Sequence, residues 1–296
     1  MNAIVTTTIN PPTEAIKRFA AMKDWKLYIV GDQKTPHEKY LLNDYPGYLS
    51  PEKQEAIDKD LSDYIGWNCV QRRTMGIVQA YRDGAEIIAT VDDDNIPNDV
   101  WDVVPEKNTS VILWESQNGV FDPLSVTDHH ELWHRGYPLQ LVHSKNNVRQ
   151  IGYDKRKPVV WANLWDGAPD LDAICRALYP GSYKLNLNRV LSAYASHQIS
   201  PFNSQNTKIA REAIPYYYLF PKVPKRMDDI IASYVLQKYF PDGVVYGPPN
   251  VFQKRNPHSL VGDMQQEAYF FDPHAIRDMA EKIDEKYCEL YKKALG

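Results

Sequence analysis

One stretch, EIIATVDDDNIP at residues 86–97, limits what this chain can become more than any other. Strand-favouring residues run into three consecutive carboxylates, Asp92, Asp93 and Asp94, and Pro97 is expected to end regular structure there. Like charges this close repel, and a buried carboxylate is costly unless something pairs with it. Either water and a basic neighbour absorb that cost, or a cation does. In extended backbone, residues i and i+2 point the same way. Asp92 and Asp94 then face one place and Asp93 another. Hard oxygen ligands at this spacing suit Mg²⁺ or Mn²⁺. The other reading of DDDN is an acidic turn that caps a helix. A phosphatase-like Asp-x-Asp ranks lower, because two strands precede this one.

The segments before it read in alternation. AIVTTT is a strand, PPTEAIKRFAAM a helix and WKLYIVGD a strand. A loop with a short helix after Pro51 follows, and then NCVQRRTMGIVQAYRDGA, a helix closed by Gly84. Short apolar strands alternating with helices predict a layered α/β fold with a mainly parallel central sheet flanked by helices. SVILWES and PVVWANLW are further strands, DLDAICRALY is a helix, and MDDIIASYVLQKYF is an amphipathic helix with Ile230, Ile231, Tyr234, Val235 and Phe240 on its apolar face. The expected organisation is a single domain over 1–296. Residues 1–110 form a nucleotide-binding half, 111–270 a sugar and acceptor half, and 271–296 a C-terminal surface helix. In open α/β sheets, ligands bind beyond the carboxyl ends of the strands. Thr6, Thr7, Thr8, Asp32 and the three aspartates all fall there.

Composition narrows the partners. A net charge of −4 over 296 residues, with only short basic clusters at 222–226 and 254–255, gives no nucleic-acid or membrane footprint. An anionic small molecule suits those clusters. The three cysteines match no disulfide framework and no zinc spacing. No apolar run reaches membrane-spanning length and no signal peptide is evident, so the expected compartment is the cytoplasm.

Several motifs carry a resemblance. A strand-ending Asp-x-Asp in an α/β nucleotide-sugar domain resembles the GT-A glycosyltransferases. VDDDN and HRGYP resemble the reversibly glycosylated polypeptides, which are UDP-arabinopyranose mutases, and KRMDDIIASYV resembles a stretch of the same proteins. SPFNSQNTKIAREAIPYYYLF and VFQKRNPHSLVGDMQQE are similar to the STELLO proteins of the Golgi, and WDGAPDLDAI is similar in both groups. The motifs are spread over residues 1–270 in chain order.

The resemblance implies a metal-dependent transferase that takes a sugar from a nucleoside-diphosphate donor, UDP for preference, to a glycan or small-molecule acceptor. A nucleotide-sugar mutase and a non-catalytic nucleotide-sugar scaffold are its alternatives. It implies that Thr6, Thr7, Thr8 and Asp32 hold the nucleoside, with Asp93 and Arg73 nearby. Asp92 and Asp94 would hold ribose and metal, Mn²⁺ or Mg²⁺. Phe252-Gln253 stands where the mutases have Trp-His, so Gln253 or His258 would complete the metal site. Arg135 matches the arginine that carries sugar in the mutases, and its guanidinium can fork onto diphosphate oxygens. Asp170 and Asp172 would meet the donor sugar, and Asn206, in an amide-rich loop with Asn203 and Gln205, its hydroxyls. Asp229, or failing that Asp228, would be the general base toward the acceptor. Each acid pair also begins a helix, where capping is an ordinary role. Of Arg72 and Arg73, one would approach the diphosphate and the other would be solvated. His129, His130 and His134 complete no metal pattern and read as surface residues.

Overall fold

The computed structural model describes residues 1–42, 45–187, 193–256, 259–268 and 283–296. The first part follows the expected alternation. It runs β1 (Asn2–Thr8), α1 (Glu14–Ala20), β2 (Trp25–Gly31), α2 (His37–Leu41), β3 (Tyr48–Leu49), α3 (Pro51–Ile57), α4 (Lys59–Ile65), α5 (Arg73–Arg82) and β4 (Ile87–Val91). There follow β5 (Asn95–Pro97), β6 (Thr109–Ser116), β7 (Val148–Arg156), β8 (Val160–Gly167), α6 (Ala173–Leu178), β9 (Tyr194–Ala195) and β10 (Asn206–Ala210). The last described elements are α7 (Asp228–Tyr239), β11 (Val244–Gln253), α8 (Leu260–Glu267) and α9 (Glu285–Leu295).

Among the described residues the strands join one sheet in the order β3-β2-β1-β4-β10-β8-β11-β9-β6-β7, with β5 paired to β11. It is parallel from β3 to β4. Beyond β4 it is mixed, because β10 enters antiparallel between β4 and β8. Alternation along β1 divides the core: Ile4 packs with Ala15 and Phe19 of α1, while Ala3 and Val5 pack with Met75 and Val78 of α5. Thr13 caps α1 through its side chain, and Gly84 at φ +84° follows the end of α5.

Three expectations are corrected. Pro97 does not end regular structure: Asn95–Pro97 pairs antiparallel with Val251–Gln253. Pro lacks a donor, which a short peripheral strand tolerates. Helix α7 is not amphipathic in its setting, since every residue from Asp228 to Gln237 is buried. Its polar side chains bond to neighbouring backbone instead of facing water. Gln237 Nε2 donates to Ser200 O at 2.7 Å, and Tyr234 Oη to Gly136 O at 2.7 Å. The described part of the C-terminal helix, α9, is not purely a surface element, because it buries Tyr287, Tyr291, Ala294 and Leu295.

Candidate active site

The carboxyl ends of β1 and β2 open into a crevice of about 590 Å³, whose lining includes Thr7, Thr8, Asn10, Asp32, Asn68 and Asp93. Asp93 turns into it from the turn that follows β4, which the Asn95 N–H closes on Asp92 O at 3.2 Å. Its Oδ2 accepts from Thr8 Oγ1 at 2.5 Å and from Asn10 Nδ2 at 3.0 Å. Thr13 Oγ1 donates to the Asp93 carbonyl at 2.6 Å while it caps α1, so one side chain ties the aspartate turn to a helix. Asp32 lines the crevice with both carboxylate oxygens engaged, by the backbone N–H groups of Gln33 at 2.6 Å, Asn68 at 2.9 Å and Cys69 at 3.0 Å. It shapes the wall. Thr6 is fully buried in β1 and lies outside the lining, which corrects its expected place.

A second cavity, of about 280 Å³, adjoins the first and shares Val70 and Lys225 with it. Asp92 and Asp94 both line it. Asp92 Oδ1 accepts from the Arg73 guanidinium, which also donates to Ser204 O at 3.1 Å and Val91 O at 3.3 Å. Arg73 thus neutralises one of the three aspartates. Arg72 is not solvated either. It is buried, donates to Gln54 Oε1 at 2.8 Å and stacks on Trp67 at 3.7 Å.

Asp94 is the aspartate left in excess. Burial first, then the charges of Asp92 and Asp93, push its carboxyl up to about 7. Its Oδ1 is buried without a hydrogen-bond partner among the described residues, and so is Gln253 Oε1 in the same cavity. The β5–β11 pairing sets Gln253 opposite Asn95, next to the aspartate turn. This donor set fits a hard divalent cation: a crowded carboxylate and a neutral amide oxygen, both unpartnered, at a strand end. Among the described residues no group of three or more His, Cys, Asp or Glu is disposed to hold a metal, so ligand phosphate oxygens and water would supply the remaining positions. His258 lies outside the described residues.

Gly167 supports Gln253. It sits at φ +88°, and a Cβ there would stand 2.5 Å from the Gln253 carbonyl oxygen. Gly167→Ala is therefore expected to lose about 1 kcal/mol or more of stability and to displace Gln253. Thermal melting checks the first effect. A fall in metal-dependent ligand affinity checks the second, and an unchanged affinity would detach Gly167 from the site.

Behind this cavity lies a buried charge network. Arg135 Nη1 and Nη2 fork onto Asp229 at 3.0 and 2.9 Å, and Arg135 Nε donates to Asp170 at 2.8 Å. Arg226 and Arg255 also approach Asp170, at 3.7 and 3.4 Å. These arginines hold the Asp170 carboxyl well below the usual carboxylate range. In this structure the Arg135 guanidinium lines the cavity and is engaged by two carboxylates rather than left free. Asp170 is fully buried, with Asn203 Nδ2 donating to it at 2.8 Å. Asp172 caps α6 through Cys175 N at 2.8 Å and accepts from Trp133 Nε1. Neither acid is among the residues that line the cavity; both serve structural roles in the buried network and the α6 cap. Asn206 is likewise an internal residue, its amide bonded to Asn250 at 2.6 Å and to Trp101 at 2.8 Å. His134 is buried rather than at the surface, and burial lowers its imidazole to about 4, which leaves it neutral.

Asp228 and Asp229 begin α7 side by side yet differ. Asp229 accepts from Arg135 and from Ser204 N at 3.0 Å, and its carboxyl is held low by Arg135. Among the described residues, the Asp228 carboxyl takes its hydrogen bond from the backbone N–H of its neighbour Asp229. Burial and the adjacent Asp229 charge push it up to about 8, and it lines the cavity.

No family model matches the chain. It is 22% identical over 255 residues to the Probable glycosyltransferase STELLO2 of Arabidopsis thaliana, covering 78% of this chain and 32% of that protein. It is 23% identical over 190 residues to the Probable glycosyltransferase STELLO1 of the same plant, covering 58% and 24%. The chain spans about a third or less of the length of these relatives. Among solved structures it resembles glucosyl-3-phosphoglycerate synthase of Mycobacterium tuberculosis. The complex with phosphoglyceric acid superposes with TM-score 0.51 at 11% identity, over 96% of this chain and 81% of that one. A complex of that enzyme with Mn²⁺, UDP-glucose and phosphoglyceric acid gives TM-score 0.50 at 11% identity, over 96% and 81%. The chain is a distant homologue of the STELLO glycosyltransferases, with a GT-A fold.

In this STELLO-like chain the cavity gathers Asp92, Asp94, Arg135, Asp228, Asp229 and Gln253. Thr7, Thr8, Asp32 and Asp93 line the adjoining crevice. Gln205, of the expected amide-rich loop, also faces the cavity, and so do Lys225, Arg255 and Gln266, which no motif assigned to it. The clusters KRMDD and QKR were visible in sequence as basic patches, whereas nothing marked Gln266.

Proposed function

We propose that the chain transfers a sugar from a nucleoside-diphosphate donor, UDP-linked for preference, to a hydroxyl acceptor with the help of Mn²⁺ or Mg²⁺. One observation carries the reading. The unpartnered Asp94 Oδ1 and Gln253 Oε1 lie in the same cavity as the under-bonded carboxylate of Asp228. A cation-binding pair and a base candidate together are what sugar transfer needs. The names of the STELLO relatives agree with this reading, as do the UDP-glucose and Mn²⁺ of the bacterial structure.

In this reading Thr7, Thr8 and Asn10 meet the nucleoside, beside the wall built by Asp32 and Asp93. Asp94 and Gln253 hold the cation, with Asp92 next to them. When bound, the cation stabilises the negative charge of the departing diphosphate. Lys225 and Arg255, which line the cavity with few partners, add donors to those phosphate oxygens. Asp228 takes the acceptor's proton. Arg135 positions Asp229 and the loop at Ser204, a role that differs from carrying sugar and so favours transfer over mutase chemistry.

Calorimetric titration with UDP tests this reading. Affinity is expected to depend on Mn²⁺ and to fall with EDTA. Asp94→Ala is expected to lower it by at least roughly 10–100-fold, the range seen when metal sites lose supporting groups. Equal affinity with and without metal would reject the cation role.

A further inference from the structure

Three glutamines face the cavity, and each keeps a buried amide oxygen without a hydrogen-bond partner among the described residues: Gln205, Gln253 and Gln266. Gln205 is 7% and Gln253 2% exposed, and Gln266 is half-buried with its amide oxygen buried. A buried polar atom left unpaired is unfavourable, and three in one cavity call for a ligand rich in donors and acceptors. Gln253 belongs with Asp94 and the cation. Gln205 follows Ser204, whose N–H bonds Asp229, and so stands beside the acids that begin α7. Gln266 comes from α8, next to Glu267, which accepts from Arg226 at 2.5 Å.

The charges around these amides select the ligand further. Arg226 donates to Glu267 at 2.5 Å and lies 3.7 Å from Asp263, while Arg176 pairs with Asp263. Arg135 is spent on Asp229 and Asp170. The cations nearest this wall are therefore neutralised by buried carboxylates, and the Asp228 carboxyl beside them carries no cation of its own. Lys225 lies on the donor side, shared with the nucleoside crevice. Arg255 also lines the cavity, but it lies 3.4 Å from Asp170, and the reading above gives it and Lys225 to the donor phosphates, so an anionic acceptor would find no cation left for it. An amide offers one acceptor and two donors, which matches a sugar hydroxyl that both donates and accepts.

Building on the transferase reading above, we propose that Gln205 and Gln266 form a subsite for the hydroxyls of an uncharged glycan acceptor, with Gln266 of α8 as a specificity-determining residue. The donor's own sugar offers the same hydroxyl chemistry, and the test separates the two sources.

The full-length chain is first titrated with UDP and Mn²⁺. Failure to bind would sink the transferase reading and this proposal with it. The UDP–Mn²⁺ complex is then titrated with maltose, lactose and cellobiose, and separately with 3-phosphoglycerate, by saturation-transfer NMR. At least one neutral disaccharide is expected to bind more tightly than 3-phosphoglycerate. Gln266→Ala, which melts like the parent, is expected to weaken that disaccharide roughly three- to tenfold, the loss of one hydrogen bond, while UDP and UDP-glucose affinities hold. Three results would overturn the proposal: 3-phosphoglycerate binding best, no disaccharide binding, or unchanged disaccharide affinity in Gln266→Ala. If the variant instead weakens UDP-glucose and spares the disaccharide, the amides read the donor's sugar and the acceptor assignment is wrong.

Discussion

Arg135→Met is expected to destabilise the protein by about 3–5 kcal/mol, the usual cost of removing one partner from a buried ion pair. The substitution leaves the carboxylates of Asp170 and Asp229 facing each other in the interior with their shared fork gone. At roughly 2–4 °C per kcal/mol for a domain of this size, the melting temperature should fall by on the order of 10 °C. Arg135→Lys should recover only part of this loss, since an ammonium cannot fork onto two carboxylates. Adding Asp229→Asn to Arg135→Met should recover stability, because one stranded charge is then removed. An unchanged melting temperature in Arg135→Met would show that the network adds nothing to the fold.

The same network sets an acid limit. Asp170 and Asp229 are both held below their ordinary values in the folded state, chiefly by the guanidinium charge of Arg135 working against burial. A carboxylate whose folded value is depressed contributes stability that is present above its unfolded value of about 3.9 and lost as pH falls toward the folded one. The wild-type protein should therefore lose stability steeply below about pH 4. Asp170→Asn should flatten that fall.

How much of this was legible in sequence depended on the range of the interactions. The order β1, α1, β2, α5, β4 could be read because strand alternation, a Thr cap and a Gly stop are local signals. The separate facing of Asp92 and Asp93 was anticipated from strand alternation, but residues 92–94 form a turn closed by Asn95 N–H on Asp92 O, and Asp93 and Asp94 also line one pocket together. The β10–β4 and β5–β11 pairings could not be read, because their partners lie more than a hundred residues apart along the chain. Helix α7 misled for a related reason. Its polar residues look solvated in sequence, and only tertiary contacts show that Ser200 and Gly136 take their hydrogen bonds. A motif such as HRGYP locates Arg135 without telling that Asp170 and Asp229 pair with its charge, and the burial of Asp170, Asp172 and Asn206 depends equally on partners distant in sequence. The amide of Gln266 carried no signal at all, since its meaning comes from the cavity it faces.

Asp228→Asn is expected to lower turnover by roughly 10²–10⁴-fold, the contribution of a positioned general base, while UDP affinity stays nearly intact. Of the two acids that begin α7, Asp229 has its oxygens occupied by Arg135 and Ser204, so it has little basicity to offer. Asp228 has neither partner, faces the cavity and titrates near 8. A base of that strength works only when ionised, so kcat/KM should rise with pH through about 8, and the Asn variant should lose that limb. Stability should move the other way. A carboxyl whose folded value is raised contributes stability that is complete below its unfolded value and lost as pH rises through the folded one. At pH 8–9 the wild type therefore carries the strain of a buried, ionised Asp228 beside Asp229, and the Asn variant should melt higher there while being nearly inactive. A purely structural acid would not produce this opposition of activity and stability. If Asp228→Asn turns over normally and Asp229→Asn does not, the base is Asp229 despite its pairing. If both lose UDP affinity in step with turnover, the two acids belong to the donor side of the cavity.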